Sequence, residues 1–267
     1  MLVGISIDSN QICQSYNLVG ENLDVIKHIQ FYLNAESFTK QRNAIIDFQN
    51  YFCNAKLTYS IHAYGYINLC ETIDIVRERW VDFAIQTIKL AYITSCKFVN
   101  YHMGYTFSKS INRKELLAKL YYSLIPMVKY AQKKSVDINL ENDFNTVEVE
   151  RLGSRIDDLE VIIDSGYPHT HICYDIGHAN IAFSSPYEYR RYINYIQSFH
   201  IHNNYGVEDI HNPFGIKGTI NLDEVLSDLF PYNNLYFILE NDIDEYITAL
   251  TNIRKSLKNL RKPSVKK

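Results

Sequence analysis

Histidines and acidic residues recur directly after short runs of β-forming residues in this chain. The positions are His62 in YSIH, His102 in FVNYH, Glu141 in DINLE, Asp175 in HICYD, His200 in SFH and Glu240 in FILE. Imidazole and carboxylate ligands without thiolate suit zinc, and also manganese or iron. If these runs are strands that end side by side, the sequence predicts a metal centre.

Two short motifs add to this set. Asp175 and His178 form D-x-x-H in YDIGHA, and Asp209 and His211 form D-x-H in VEDIHNPFG. Any one of these residues alone is more typical of a hydrogen-bonded core position or an ion pair. Four carboxylates gathered in one place would instead repel each other and lose hydration, and no lysine or arginine falls within the strand-end motifs. Divalent cations relieve that repulsion, so we expect bound metal.

The elements that must position these residues alternate between β and α. Strands are predicted at 2–7, 25–33, 57–62, 98–102, 136–141, 171–175, 198–202 and 235–240. Helices are predicted near 11–22, 36–54, 72–94, 111–134, 154–165, 185–196, 221–229 and 242–260. Eight alternating units without a long linker favour an α/β fold consisting of a single (β/α)8 barrel, whose strand ends share the rim that carries active sites.

Length and charge set the outer bounds. The chain has 267 residues with 46% hydrophobic content, which is ordinary for one barrel domain. We assign residues 1–260 to a TIM-barrel metalloenzyme domain and 261–267 to a basic C-terminal tail. Seven of the 27 basic residues stand in the last 14 positions, so the rest of the chain is acidic, with 20 basic against 30 acidic residues. Such a body does not favour a polyanionic partner.

The sequence says less about localisation and protein partners than about the fold. No apolar run reaches the roughly 18 residues of a membrane span, and MLVGISIDS lacks a basic leader. The five cysteines are scattered without a C-x-x-C pair, which indicates buried thiols in a reducing compartment. We therefore expect a cytoplasmic protein without membrane contact, and no protein partner is evident.

The order of the motifs, from HAYGYINL through YHMG, LEN, YDIGHA, FHIHNN and EDIHNPFG to ILEN, resembles the endonuclease IV and xylose isomerase-like TIM-barrel superfamily (the AP endonuclease family 2) over residues 57–241. The resemblance implies a site for up to three divalent ions, and the ligand types make zinc the expected metal, with manganese or iron as alternatives. By this likeness the first ion is held by His62, His102 and Glu141, the second by Asp175, His200 and Glu240 with Glu141 bridging, and the third by His178, Asp209 and His211.

Four further residues are predicted to contact substrate. The superfamily pattern favours His200 over His202 as ligand, because Asn203 then falls where the family has an acid. His202 would line the pocket. Tyr64 flanks Gly65, which occupies the place of a DNA-probing tyrosine, and Lys217 in FGIKGTIN is a candidate phosphate contact. The substrate-binding candidates are therefore His202, Asn203, Tyr64 and Lys217.

Two activities remain open. In the endonuclease IV-like interpretation, metal-activated hydroxide cleaves a phosphoester, either abasic DNA or a smaller molecule, with Glu141 orienting the nucleophile. In the alternative, a sugar or sugar-phosphate isomerase or epimerase uses one metal, and Glu141 and Glu240 move a proton beside a carbonyl. Departures in the loops, among them Ile210 where the family has a phosphate-binding arginine and NDFNTVEVE where it has a Gly-rich segment, argue against DNA. A non-catalytic metal- or sugar-binding barrel is the third possibility.

Overall fold

Eight parallel strands form a closed barrel in the computed structural model, which describes residues 1–108 and 110–261. We number the barrel strands in chain order, and each pairs with the next until the last pairs with the first. They are β1 (Leu2–Asp8), β2 (His28–Tyr32), β3 (Thr58–His62), β4 (Phe98–His102), β5 (Asp137–Glu141), β6 (Thr170–Asp175), β7 (Ile196–Ile201) and β8 (Tyr236–Leu239). The predicted single (β/α)8 barrel is confirmed, with the second strand shorter than expected.

Helices surround the barrel. They are α1 (Ile12–Glu21), α2 (Phe38–Tyr51), α3 (Asp74–Ile93), α4 (Arg113–Lys134), α5 (Glu160–Ser165), α6 (Ile176–Ala182), α7 (Leu222–Leu229) and α8 (Tyr246–Leu260). No helix among the described residues is both long and apolar enough to pass through a membrane. Two of the five cysteines, Cys13 and Cys53, are exposed, so the expectation that all are buried was wrong. Most of the basic tail, residues 262–267, lies outside the described residues.

The predicted helix at 185–196 was also wrong. That segment forms two short 3-10 helices, Pro186–Arg191 and Ile193–Tyr195, and α6 begins earlier, directly after β6. The side chain of Asp175 accepts a hydrogen bond of 2.7 Å from the backbone N–H of His178 and caps the new helix. Because Asp175 caps the helix, α6 begins directly at the end of β6, and its first turn places His178 at the rim.

Alternate residues of each strand point into the barrel, as the period of two requires. Contacts between strands that are not neighbours cross the interior: Asn139 donates to Ser198 at 3.0 Å, and the Asn100 amide lies 2.9 Å from the His200 ring. The register places His102 beside Glu141 and Asp175 beside His200. The interior is polar near the rim, whereas the outward faces of the strands pack their apolar residues against the helices.

A two-stranded antiparallel ribbon, Tyr105–Thr106 paired with Glu150–Arg151, stands above the rim. Arg113, the first residue of α4, fastens it from below. Its guanidinium donates to Glu150 Oε1 at 2.8 Å, to the carbonyl oxygen of Arg151 at 3.2 Å and to Asp158 Oδ1 at 2.7 Å. Asp158 is buried, so this arginine both neutralises a buried carboxylate and holds the ribbon in place.

We expect Arg113→Ala to lower the free energy of unfolding by about 3 kcal/mol, because the substitution leaves the Asp158 carboxylate buried without its cation. Lys114→Ala, one residue further along α4 and exposed, is the control and should be nearly neutral. Urea unfolding followed by circular dichroism measures both. Equal losses in the two variants would show that the buried pair does not stabilise the fold.

Candidate metal centre

The strand ends surround a cavity of about 720 Å³ at the carboxyl-terminal rim of the barrel. Seven of the nine predicted metal ligands lie on its wall. The other two, Asp175 and His200, are fully buried just beneath it. The seven predicted ligands on the cavity wall are His62, His102, Glu141, His178, Asp209, His211 and Glu240.

Glu141 is the centre of the first group of ligand atoms. Its Oε2 lies 3.2 Å from Nε2 of His62, and its Oε1 lies 2.9 Å from Nδ1 of His200. The ligand atoms of His62, His102 and Glu141 all fall within 4.8 Å of one another. Glu240 approaches the same nitrogen of His200 at 3.3 Å. One carboxylate therefore contacts histidines on both sides, and Glu141 is placed where it would be shared if two ions were bound.

Asp209 is the centre of the second group. Its Oδ2 lies 3.5 Å from Nε2 of His178 and 3.4 Å from Nε2 of His211. Asp175 connects this group to the first, because its Oδ2 is 3.7 Å from Nδ1 of His178 and 3.9 Å from Nδ1 of His200. The structure thus brings all nine predicted ligands into one continuous cluster.

The spacing of these atoms fits divalent cations. Ligands about 2.0–2.1 Å from a tetrahedral zinc ion stand about 3.3 Å from each other. The nitrogen–oxygen pairs of the cluster are separated by 2.9–3.9 Å, which brackets that value. The donor set therefore has the chemistry and the spacing that a zinc-like ion needs.

The histidine rings are also oriented as metal ligands usually are. A ligand histidine donates its second ring N–H to a fixed acceptor, which leaves the first nitrogen free for the ion. Four of the rings do so through Nδ1: His62 to the Ala63 carbonyl oxygen at 2.7 Å, His102 to Asp143 at 3.0 Å, His178 to the Asn142 carbonyl oxygen at 2.9 Å and His211 to the Glu240 carbonyl oxygen at 3.0 Å. Because a carbonyl oxygen or a carboxylate only accepts, Nε2 of each ring keeps its lone pair whenever the ring is neutral.

His200 and His202 have different surroundings. Nδ1 of His200 faces Glu141 and Glu240, whereas Nε2 of His202 lies 3.1 and 3.2 Å from the two oxygens of Asp175. Nδ1 of His202 is buried with no hydrogen-bond partner among the described residues. As a metal ligand through Nε2, His202 would bury an N–H without an acceptor, but as a donor to Asp175 it leaves only a lone pair unpaired. His200 therefore stays the predicted ligand, and His202 is placed to hold Asp175.

The structure does not bring the four predicted substrate contacts to the cavity wall. His202 is fully buried below it. The amide of Asn203 donates to the carbonyl oxygen of Ile220 at 3.0 Å and accepts from its N–H at 3.1 Å, so it joins two loops. Tyr64 and the exposed Lys217 do not line the cavity. Tyr66 lines it at the place expected for Tyr64.

Three residues of the site were missed by sequence reasoning. Asp143 accepts from His102, Arg151 reaches over the cavity from the ribbon, and Tyr32 stacks on the ring of His62 with centroids 4.7 Å apart. Tyr32 ends β2 as His62 ends β3, so its strand-end position was a usable signal. Asp143 follows Glu141 by two residues in LEND, and only an expectation of acids that orient ligands would have selected it.

Burial and charge oppose each other at the acids. Burial disfavours the carboxylate of Glu141, but the charges of His200 and His102 outweigh it and hold its pKa well below the usual range. For Asp175 the same balance between burial and the neighbouring histidines lowers the pKa to about 2. Both acids are therefore ionised at neutral pH inside the barrel, and each needs positive charge close by.

In the absence of metal, that positive charge comes from protonated imidazoles. Burial opposes protonation of His211, yet its hydrogen bond to Asp209 and the charge of Glu240 raise its pKa to about 9. The pKa values of His178 and His200 are raised well above the ordinary value, against burial, by their carboxylate and thiol neighbours. Metal ions and protons thus compete for the same nitrogens.

This competition predicts opposite pH trends with and without metal. The raised histidine pKa values stabilise the metal-free fold fully below the unfolded value of about 6.5, and that stabilisation is lost as the pH rises through about 9. Asp175, with a pKa of about 2, stays ionised over this window and adds no slope. Without metal, the urea concentration at the unfolding midpoint should therefore fall between about pH 6.5 and 9. Over the same range, the increase in that midpoint on saturation with zinc should grow. A flat metal-free profile would contradict this assignment of charge.

Gly177 offers a structural test of the cluster. A Cβ at this position would lie 1.9 Å from Cε1 of His202, so we expect Gly177→Ala to displace that ring from Asp175 and to lower the zinc bound per chain. The control is Gly20→Ala, also helical, whose Cβ would meet no atom closer than 3.9 Å. Mass-spectrometric metal counting after dialysis distinguishes them, and an unchanged zinc content in Gly177→Ala would argue against a role of His202 in holding Asp175.

Comparison with known proteins extends these observations. No curated protein sequence matches the chain significantly. A D-tagatose 3-epimerase-like protein shares its fold at a TM-score of 0.80 with 23% identity, covering 97% of this chain and 98% of the other. A Thermus thermophilus protein whose crystals were soaked with ZnCl2 gives 0.75 with 18% identity over 98% and 100% of the two chains. Endonuclease IV from Thermus thermophilus gives 0.64 with 16% identity over 97% and 100%. The family model for the xylose isomerase-like TIM barrel matches residues 26–262, and the chain therefore belongs to that family.

Proposed function

We propose that this protein is a divalent-metal-dependent hydrolase of a small phosphoester. The observation that carries the proposal is the size of the ligand cluster. Glu141, Asp175, His200 and Glu240 alone suffice for one ion, yet the structure adds five more donors in contact with them. A cluster of nine supports more than one ion, which is the arrangement suited to phosphoester cleavage.

Adjacent divalent ions supply a nucleophile at neutral pH and compensate the charge on both the attacking and the leaving oxygen of a phosphoester. The donors for the first ion would be His62, His102 and Glu141. Those for the second would be Asp175, His200 and Glu240 with Glu141 shared, and those for the third His178, Asp209 and His211. Zinc fits this nitrogen and oxygen set, and manganese and iron fit it too.

The chain's own residues complete the site. Glu141 is buried between His62 and His200, so its carboxylate is held to face the reacting centre and orient the nucleophile. Tyr32 lines the cavity, and burial together with the charges of Glu240 and Glu141 raises its pKa to about 12. The phenol thus keeps its proton at pH 7 and offers a neutral O–H donor to the departing oxygen.

A second activity has its own support. Glu141 and Glu240 both contact Nδ1 of His200, at 2.9 and 3.3 Å, so two carboxylates flank one ligand position. Such a pair would move a proton to and from the carbon beside a sugar carbonyl, as in an isomerase or epimerase. That chemistry needs one ion and leaves no role for Asp209 and His211.

The variant His211→Ala separates the two activities. For the hydrolase we expect two or three metal ions per wild-type chain, fewer in the variant, and a loss of phosphoester cleavage of about 100-fold or more, because charge stabilisation of several kcal/mol is removed. Suitable substrates are p-nitrophenyl phosphate, bis(p-nitrophenyl) phosphate and an abasic oligonucleotide. His169→Ala is the matched control, since His169 pairs with Asp137 at the opposite end of the barrel.

The competing outcome is equally specific. One ion per chain, no cleavage of any phosphoester, and exchange of a ketose α-proton with deuterated solvent that survives His211→Ala would reject hydrolysis in favour of the epimerase. Cleavage of the abasic oligonucleotide in preference to the small esters would reject the small-molecule substrate while keeping the reaction.

A further inference from the structure

The ribbon forms one wall of the cavity, and that wall is mostly aromatic. Tyr105 and Phe107 come from its first strand and the loop beyond it, and Phe144 and Val149 come from the segment that leads into the second. Arg151 completes the wall. The wall is rigid, because Arg113 fastens its second strand, as described above, and Asn68 fastens its first through two hydrogen bonds of 2.9 Å to the backbone of Tyr105.

Arg151 is the only lysine or arginine among the described residues that line the cavity. Six carboxylates share the same lining: Asp8, Glu141, Asp143, Asp209, Glu240 and Asp242. The predicted metal ligands account for three of these acids. Arg151 lies next to Asp143, which is not a predicted ligand, and has no ion pair with the three acids that are.

The guanidinium of Arg151 retains unused donors. Nη1 donates to the carbonyl oxygen of Phe144 at 3.0 Å, and Nε lies 3.7 Å from Oδ2 of Asp143. Nη2 makes no hydrogen bond to the described residues, although a guanidinium carries five N–H groups. The group also packs over the Phe144 ring, 5.4 Å from its centroid, which fixes its plane. Its free edge is therefore held ready for an acceptor.

The position of Arg151 separates it from the metal ligands. Asp143 lies between them, since the same Oδ2 that faces Arg151 accepts from Nδ1 of His102 at 3.0 Å. The other nitrogen of His102 is the one available to an ion, on the far side of the ring. Phe144 spans the gap, with its ring 5.2 Å from that of His178. A molecule lying across Phe144 would reach the metal ligands at one end and Arg151 at the other.

From this geometry we infer that the substrate carries a second anionic group, a phosphate or a carboxylate, which Arg151 binds while the reacting phosphoester lies at the metal cluster. The inference rests on the proposed function and narrows its substrate class to small phosphoesters that carry a second, separate anionic group. A cavity of about 720 Å³ is of the size that encloses such molecules. Arg151 thereby determines specificity and takes no part in bond cleavage.

The test compares a sugar bisphosphate with its monophosphate on the zinc-loaded 267-residue chain. Dissociation constants for fructose 1,6-bisphosphate and fructose 6-phosphate are measured by isothermal titration calorimetry, and kcat/KM is measured by phosphate release. We expect the wild type to prefer the bisphosphate, and Arg151→Gln to weaken its binding about 10–100-fold, the effect of removing a charged hydrogen-bond partner. Binding of the monophosphate should change less than about threefold, within the range of a peripheral contact.

Two variants control the comparison. Arg155→Gln removes an arginine that is exposed and does not line the cavity, so it should leave the preference unchanged. Arg151→Lys keeps the charge without the planar fork and should restore part of the preference. Circular dichroism and zinc content verify that each variant is folded and loaded.

The outcomes distinguish this inference from the proposed function. If no phosphate is released but the bisphosphate binds more tightly through Arg151, hydrolysis is rejected and the anion site stands. If phosphate is released and Arg151→Gln affects both ligands alike or neither, the anion site is rejected and hydrolysis stands. A wild type without preference for the bisphosphate also overturns the inference.

Discussion

The arrangement of side chains at the carboxyl-terminal rim depends on how two buried, ionised carboxylates, Glu141 and Asp175, are neutralised. Glu141 and Asp175 have side chains that are 1% and 0% exposed, and neither has a lysine or arginine as its partner in the described contacts. An unpaired buried charge costs several kcal/mol, so cations must accompany both acids. Protons on the imidazoles provide that charge without metal, and divalent ions would provide it with metal. The placement of the histidines follows from this one requirement.

The sequence was sufficient to predict the barrel and the convergence of its strand ends, because both depend on local regularities. An alternation of period two selects the inward residues of a strand, and parallel topology brings every strand's carboxyl end to the same rim. His62, His102, Glu141 and Asp175 needed no more than this to be placed together. The D-x-H residues lie in a loop, and there the likeness to a family order, rather than periodicity, carried the prediction.

The remainder could not be predicted, since it depends on contacts between distant segments. The ring of His202 fits under Asp175 only because Gly177 has no Cβ, and nothing in the local sequence joins those two positions. The ribbon pairs Tyr105 with Arg151. Neither short strand has a sequence pattern that predicts this pairing, which is held by the hydrogen bond from Arg113 to the carbonyl oxygen of Arg151. Loop positions such as Lys217 have no periodicity from which a direction could be inferred, and this residue points to solvent.

The site has two halves that come from different parts of the chain: the cluster of predicted metal ligands and the ribbon that forms the facing wall of the cavity. Seven of the nine predicted metal ligands stand at strand ends or in the first turn of α6, so the barrel itself fixes their positions, whereas Asp209 and His211 lie in the loop after β7. The ribbon is fastened by Arg113 and Asn68, neither of which is a predicted ligand. Substitutions in the ribbon can therefore change this wall of the cavity without moving the predicted metal ligands. Asp143 is the point where the halves meet, because it contacts His102 on one side and Arg151 on the other.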